Sequence, residues 1–348
     1  MRVLVVRPDG MGDVLLTGPA VRAIAAREAE VTFLAGPGGA GAASLLPGVT
    51  SVLEWEAPWI APEPGPFDPD LVRSLAAQVT EARPEAAVIF TSFHQSPLPT
   101  ALVLRMAGVP WIGAISVDYP GSLLDLRHQV DDDLPEAERN LSLARAAGFP
   151  LPSGDAGGLA VTAELPDPSR WVRGPYVVVH ARASVPARGP SEGRVAAMVS
   201  ALARAGHRVV VTGSAGDAVV TSAICAQVPG TVDLGGRTSL RALAAVLATA
   251  DVVVAPNTGA AHLAAAVGTP VVSLFAPVVP AVRWAPYGVP YRLLGRQDAA
   301  CAGTRARICP LPGHPCLDSI DPAEVVAAVA ELSGLAEPAS RVPTGAGR

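Results

Sequence analysis

"DVVVAPNTGAAHLAAAVGTPVVSLFAP", residues 251–277, contains a β-branched run, a Pro-Asn-Thr-Gly turn, an Ala-rich stretch of helical length, a Gly-Thr-Pro break and a second β-branched run. Strand, helix and strand in that order predict two parallel strands joined by a crossover helix. The helix opens at the turn. Unpaired backbone N–H groups around Thr258 to Ala261 and the positive end of the helix dipole therefore predict an anion site suited to a pyrophosphate, with the Thr258 hydroxyl beside it. His262 stands in the first turn; a histidine there is as readily a structural residue as a ligand.

The same alternation runs outward from this unit in both directions. Predicted strands at 176–180, 208–212, 231–234, 251–255 and 270–275 are matched in the first half by 3–6, 31–34, 51–54, 87–90 and 111–115, with helical patterns between most of them. The pattern predicts an α/β chain with two similar parallel sheets covered by helices. The stretch 151–170 is rich in Gly, Pro and acids and separates the two series. It divides an N-terminal domain, 1–160, from a second domain, 161–320. Beyond these, "DPAEVVAAVAEL" has Asp321 as N-cap, Pro322 in the first turn and Glu324 at N3, which predicts a closing helix over 321–335. The tail 336–348 lacks apolar periodicity and is expected to be mobile.

In the first half the informative stretch is "RPDGMGDVLLTGPA", residues 7–20, which leads from the first strand into a helix. Gly10-Met11-Gly12 begins a dinucleotide fingerprint, but Leu15 stands where the third glycine belongs. The second strand also lacks an acid for a ribose hydroxyl, so NAD binding is not expected. What remains is a tight turn carrying Asp13 at the carboxyl end of a strand, where open α/β sheets bind ligands. Asp13 can cap the helix, act as a general base toward a hydroxyl, or do both.

"HARASVPARGPSEGR", 180–194, follows the first strand of the second half and brings Arg182, Arg188 and Arg194 to a ligand edge; Arg188 is the candidate phosphate contact. Cys301, Cys309 and Cys316 cluster with His314 without the paired spacing of a zinc site. A Cys3His metal site, free thiols and a disulfide all stay open there.

Composition narrows the chemistry. All 26 basic residues are Arg, so neither a Schiff-base lysine nor a lysine-bearing phosphate loop exists. Residues 1–165 carry 20 acids against 10 arginines, and 166–348 carry 11 acids against 16 arginines. The second half thus suits a phosphate-bearing ligand, and neither half has the basic, aromatic-interleaved patch of a nucleic-acid binder. No apolar run reaches membrane-spanning length, and the N-terminus reads as a strand rather than a secretory signal, so a cytoplasmic location is expected.

Together, "LVVRPDGMGDVLLTGPAVRAI", "VVVHARASVPARGPS", "VVVTGSAGD", "VVVAPNTGAAHLAAAVGTPVVSLFAP", "VRWAPYG" and the Cys-rich loop leading to "CLDSIDPAEV" resemble glycosyltransferase family 9, the ADP-heptose:lipopolysaccharide heptosyltransferase family. The resemblance spans nearly the whole chain. It implies a GT-B fold, two Rossmann-like domains facing across a cleft with the last helix returning to the first domain. It also implies inverting transfer from a nucleotide sugar, an ADP-heptose, with no cofactor and no divalent metal. Asp13 matches the family's catalytic base. The donor site it implies comprises Gly12, Ser184, Arg188, Thr212, Gly213, Thr238, Asn257, Thr258, Gly259 and His262. Arg188 stands where the family often has Lys, Asn257 where it commonly has Asp, and Arg182 where a small residue is usual. The acidic first half fits poorly with the family's phosphorylated acceptor, so a neutral or cationic acceptor is expected. A sugar-nucleotide epimerase and a non-catalytic nucleotide-sugar binding protein are the alternatives. The epimerase needs acid/base groups on both faces of the sugar, and only Asp13 is evident.

Overall fold

The computed structural model describes residues 1–61, 63–131, 133–162 and 164–335, so the tail 336–348 lies outside the described residues. In the first domain the strands are β1 (Arg2–Arg7), β2 (Glu30–Ala35), β3 (Val49–Glu54), β4 (Ala86–Ile89), β5 (Ile112–Ile115) and β6 (Leu126–His128). Its helices are α1 (Met11–Leu16), α2 (Gly18–Ala25), α3 (Pro37–Ala43), α4 (Pro69–Ala82), α5 (Leu98–Met106) and α6 (Glu136–Ala146). The second domain holds β7 (Val177–His180), β8 (Val209–Thr212), β9 (Val232–Asp233), β10 (Val252–Pro256), β11 (Val271–Leu274) and β12 (Tyr291–Leu294). With them come α7 (Glu192–Arg204), α8 (Ala218–Gln227), α9 (Leu240–Ala248), α10 (Gly259–Ala266), α11 (Ala281–Trp284) and α12 (Pro322–Leu335).

Each sheet is parallel and six-stranded, in the orders β3-β2-β1-β4-β5-β6 and β12-β11-β10-β7-β8-β9. Counted within its own domain, each has the order 3-2-1-4-5-6 of a dinucleotide-type half, with its switch point between the first and fourth strands. β4, β8, β10 and β11 are buried along their whole length, as strands covered on both faces must be. Every strand predicted from sequence is present within a residue or two. β6 and β12 are additional: "LRH" and "YRLL" are short and half-exposed, and neither contains a β-branched residue.

The segment between the domains is tied to the first. Arg22 on α2 makes a bidentate pair with Asp155 at 2.8 and 2.9 Å and donates to the Gly158 carbonyl at 2.8 Å. Buried Phe149, Leu159 and Val172 join the core beneath it.

α12 corrects one expectation. It begins as foreseen: the Ala323 N–H donates to Asp321 at 2.9 Å, and Glu324 accepts from the Asp321 N–H at 3.2 Å. It does not return to the first domain, however, but packs against α7, β10, β11 and β12. Val325, Val329 and Leu332 are buried in the second domain's core, where each such side chain contributes about 1.5–3 kcal/mol. That apolar stripe specifies a face to bury and leaves its partner to the fold.

Where the domains meet, α1 and α10 touch near their N-termini. A Cβ on Gly12 would lie 2.8 Å from His262 Cδ2, and one on Gly259 would strike the Met11 side chain. Glycine at both positions permits this approach.

Candidate active site

The loops after β1, β4, β7 and β10, the four strands flanking the two switch points, converge on one cleft of about 1070 Å³ between the domains. From the first domain come Asp9 to Asp13 and Ser92 to Gln95. From the second come Arg182 to Pro186, Arg188, Gly213, Thr238, Asn257 to Gly259 and His262. Asp13 and all the predicted donor-site residues line this cleft except Thr212, and Arg194, on α7, stays outside it and donates to the Ile320 carbonyl at 3.2 Å. Thr212 is buried at the end of β8, with its hydroxyl 3.0 Å from His180 Nδ1, and it is His180 that reaches the cleft.

Asp13 sits in the first turn of α1 without capping it; the N-cap is Gly10, whose lack of a side chain leaves that end of the helix open. Its carboxylate is held from behind by Arg7, the last residue of β1 and wholly buried, through an Nη2 to Oδ1 hydrogen bond of 2.8 Å. The same guanidinium pairs with Asp9 at 2.7 Å and Glu136 at 3.5 Å, and donates to Ser92 at 3.0 Å. Gln95 locks the far side, donating to Asp9 at 2.6 Å and accepting from the Ser92 N–H at 3.0 Å. Burial works against the Arg7 charge, but Asp9, Asp13 and Glu136 outweigh it and hold the group above its ordinary range. Burial is also the main cause at Asp9, whose carboxyl is pushed up to about 6 despite Arg7, and it raises Glu136 in the same way.

Across the cleft, Thr258 is the extended N-cap of α10, and its side chain makes no capping bond. Thr258 and Gly259 line the cleft, and the first backbone N–H groups of a helix have no partner within it. Three buried polar atoms among the described residues find no partner here: Arg188 Nε, Asn257 Nδ2 and His262 Nδ1. Leaving such atoms unpaired in a closed core costs about 1–3 kcal/mol each, which a ligand recovers. Burial pushes His262 down to about 4 and also lowers Arg188. His180 is likewise held near 4 by burial. His262 therefore enters neutral, as a hydrogen-bonding group rather than a charge.

Sequence reasoning missed the Arg7 network, whose members Arg7 and Glu136 are 129 residues apart. It also missed an aromatic contact between the two domains at the cleft. Phe93 after β4 lies under the Arg283 guanidinium, 3.9 Å from its ring centre, and 5.5 Å from the Trp284 ring. In the cysteine loop, as elsewhere among the described residues, no three or more His, Cys, Asp or Glu stand arranged to hold an ion. Burial, reinforced by Cys301 and Cys309, pushes the Cys316 thiol up to about 11, and all four cysteines are free.

Two parallel Rossmann-like sheets facing across a cleft give the chain the GT-B fold. The family model of glycosyltransferase family 9 (heptosyltransferase) matches residues 94–314, and the chain belongs to that family. Asp13 lies outside the matched span. The structure is similar to E. coli ADP-heptose lipopolysaccharide heptosyltransferase II, with TM-score 0.75 and 22% identity over 96% of this chain and 99% of that one. It is similar also to the family 9 glycosyl transferase from Veillonella parvula, with TM-score 0.75 and 15% identity over 96% and 97%. An E. coli heptosyltransferase solved with ADP gives TM-score 0.71 and 19% identity over 95% and 100%. No curated protein sequence matches the chain significantly. No helix among the described residues is long and apolar enough to cross a membrane.

Proposed function

We propose that this glycosyltransferase moves a sugar, a heptose, from an ADP-sugar to an acceptor hydroxyl with inversion, using Asp13 as general base and no divalent metal. The observation that carries the reading is the opposition of Asp13 to three unpartnered buried groups, on Arg188, Asn257 and His262, at the N-terminus of α10. Asp13 would take the hydroxyl proton as the acceptor oxygen attacks the anomeric carbon. Charge gathering on the departing diphosphate would meet Arg188, the Thr258 hydroxyl and the backbone N–H groups of α10. Arg7 would keep the Asp13 carboxylate oriented for that step. ADP is favoured as the nucleotide because a structural neighbour was solved with ADP in the same fold.

For the acceptor we infer a neutral or cationic polyol. The first domain's share of the cleft includes Asp9 and Asp13 and no arginine: Arg7 is fully buried behind them, and His94 is held neutral, near 4, mainly by burial. Such a wall repels a phosphorylated acceptor. The same reading places the enzyme in the cytoplasm.

Thermal-shift titrations with ADP, UDP, GDP and dTDP test the donor, since a ligand at 100 times its Kd adds about 2.7 kcal/mol to the folded state. A selective ADP shift is expected. A selective shift with another nucleotide would remove the ADP-heptose assignment and leave the transferase.

A further inference from the structure

The stretch between β12 and α12, which contains the three clustered cysteines, has no part in the site as described so far. Its two ends are anchored: Cys301, Cys316 and Leu317 are buried in the second domain's core alongside Val272 and Val325. Between the anchors it is stitched to its neighbours through backbone hydrogen bonds. Gly303 N–H donates to the Pro277 carbonyl at 2.8 Å, Arg305 N–H to Val278 at 2.8 Å, and Ala187 N–H to the Arg307 carbonyl at 3.0 Å. The last bond joins it to the short turn 186–188 that carries Arg188. Arg305 has φ +58°, a left-handed conformation that a non-glycine residue occupies at a cost of about 1 kcal/mol or more. The result is that Arg305 and Arg307 line the same cleft as Arg188.

Other arginines at the cleft have their charge matched. Arg182 has Glu192 and Asp217 at 3.6 Å, and Arg7 behind the wall has Asp9, Asp13 and Glu136. Arg188, Arg305 and Arg307 have no carboxylate of the described residues within 4.0 Å. Their mutual repulsion is felt at Arg188, which burial lowers first, Asp13 partly restores, and Arg307 and Arg305 lower further. A fixed group of like charges in a cleft is unfavourable until a polyanion enters it.

We propose that Arg305 and Arg307 bind the donor diphosphate together with Arg188, so that the cysteine-anchored loop is the third element of the donor site. The proposal rests on the nucleotide-sugar reading above. In the transfer step the acceptor oxygen bonds to the anomeric carbon while the bond from that carbon to the diphosphate oxygen breaks. The acceptor proton goes to Asp13, and the electron pair of the broken bond leaves on the diphosphate, where the three guanidiniums balance it. The buried cysteines act only as anchors for the loop.

The test compares the wild type with Arg305→Gln, Arg307→Gln, the double variant and the double Lys variant. Calorimetry would use inorganic pyrophosphate, ADP and adenosine at low and high salt. Each charge-assisted contact is expected to be worth about tenfold, so the double Gln variant should lose about 100-fold in affinity for pyrophosphate and ADP. It should keep wild-type affinity for adenosine, show a shallower salt dependence, and melt within a degree or two of the wild type, because both side chains are exposed. The double Lys variant should recover most of the loss. Unchanged pyrophosphate binding in the double Gln variant overturns the proposal, as does failure of the wild type to bind pyrophosphate or an equal loss for adenosine. If the wild type binds pyrophosphate but prefers no nucleoside diphosphate over it, the nucleotide reading fails and the arginine site stands.

Discussion

At the scale of single residues the site depends on how one buried arginine divides its contacts. Arg7 touches Asp9, Asp13, Glu136 and Ser92 at once, which a planar five-donor group can do and an ammonium cannot. Arg7→Met leaves Asp9 and Asp13 without their guanidinium and Glu136 with only Arg139 at 4.0 Å, and should destabilise the fold by about 3–5 kcal/mol, measurable by urea unfolding. Arg7→Lys should fold, because it keeps the charge, but with the base misplaced by a fraction of an ångström kcat should fall by up to about 100-fold. A Lys variant with wild-type kcat would mean that Arg7 only holds the fold together. Asp13→Asn is the companion measurement. Turnover should drop by about 10²–10⁴-fold while ADP affinity is kept, and unchanged turnover would remove Asp13 as base. The sequence made Asp13 visible because a glycine turn presents it at a strand's end. It hid Arg7, since an arginine closing an apolar strand reads as a solvated strand end until Glu136, on a helix far along the chain, is brought beside it.

At the scale of elements, α1 and α10 bring the base and the anion site together by abutting at their N-termini. Gly12→Ala tests this contact. The new Cβ would lie 2.8 Å from a ring carbon of His262, which is itself buried, so the ring or the helix must shift. Affinity for ADP and kcat should both fall, by about tenfold or more, with less than about 2 kcal/mol lost in stability. Equal activity in the variant would show that the two helices are not held at this spacing in solution. Elements rather than contacts are what the pattern of apolar residues conveyed. β-branched runs marked ten of the twelve strands, and Asp321 with Glu324 marked the start of α12. β6 and β12 escaped because an edge strand that buries little needs no apolar run. The destination of α12 escaped because Val325, Val329 and Leu332 demand burial without naming the sheet that provides it.

At the scale of the whole molecule, charge is sorted between domains and the pH response follows from which groups the fold keeps neutral. His94, His180 and His262 are all held near 4, burial being the largest cause for each, with Arg305 the next contributor at His94. An unfolded chain protonates its histidines near 6.5, so between pH 6.5 and 4 it takes up protons that the folded one refuses. These three groups therefore remove stability as pH falls through that window. Asp9 acts oppositely: folded it takes a proton near 6, unfolded only near 3.8, so acid restores stability through it between 6 and 3.8. Glu136, also raised, works in the same sense as Asp9. With three histidines against two carboxyls, the melting temperature should decline from pH 7 to 4 as the unfolded chain's histidines take up their protons, with Asp9 and Glu136 offsetting part of the loss. Asp9→Asn removes that compensation whatever it does to the absolute stability. The variant should therefore lose stability more steeply than the wild type between pH 6 and 4, by about 1.4 kcal/mol per pH unit. Denaturant titrations at half-unit pH steps measure both slopes. Parallel curves would mean that Asp9 is ionised in the fold throughout, and that the Arg7 cluster carries one more negative charge behind the base than the buried geometry implies.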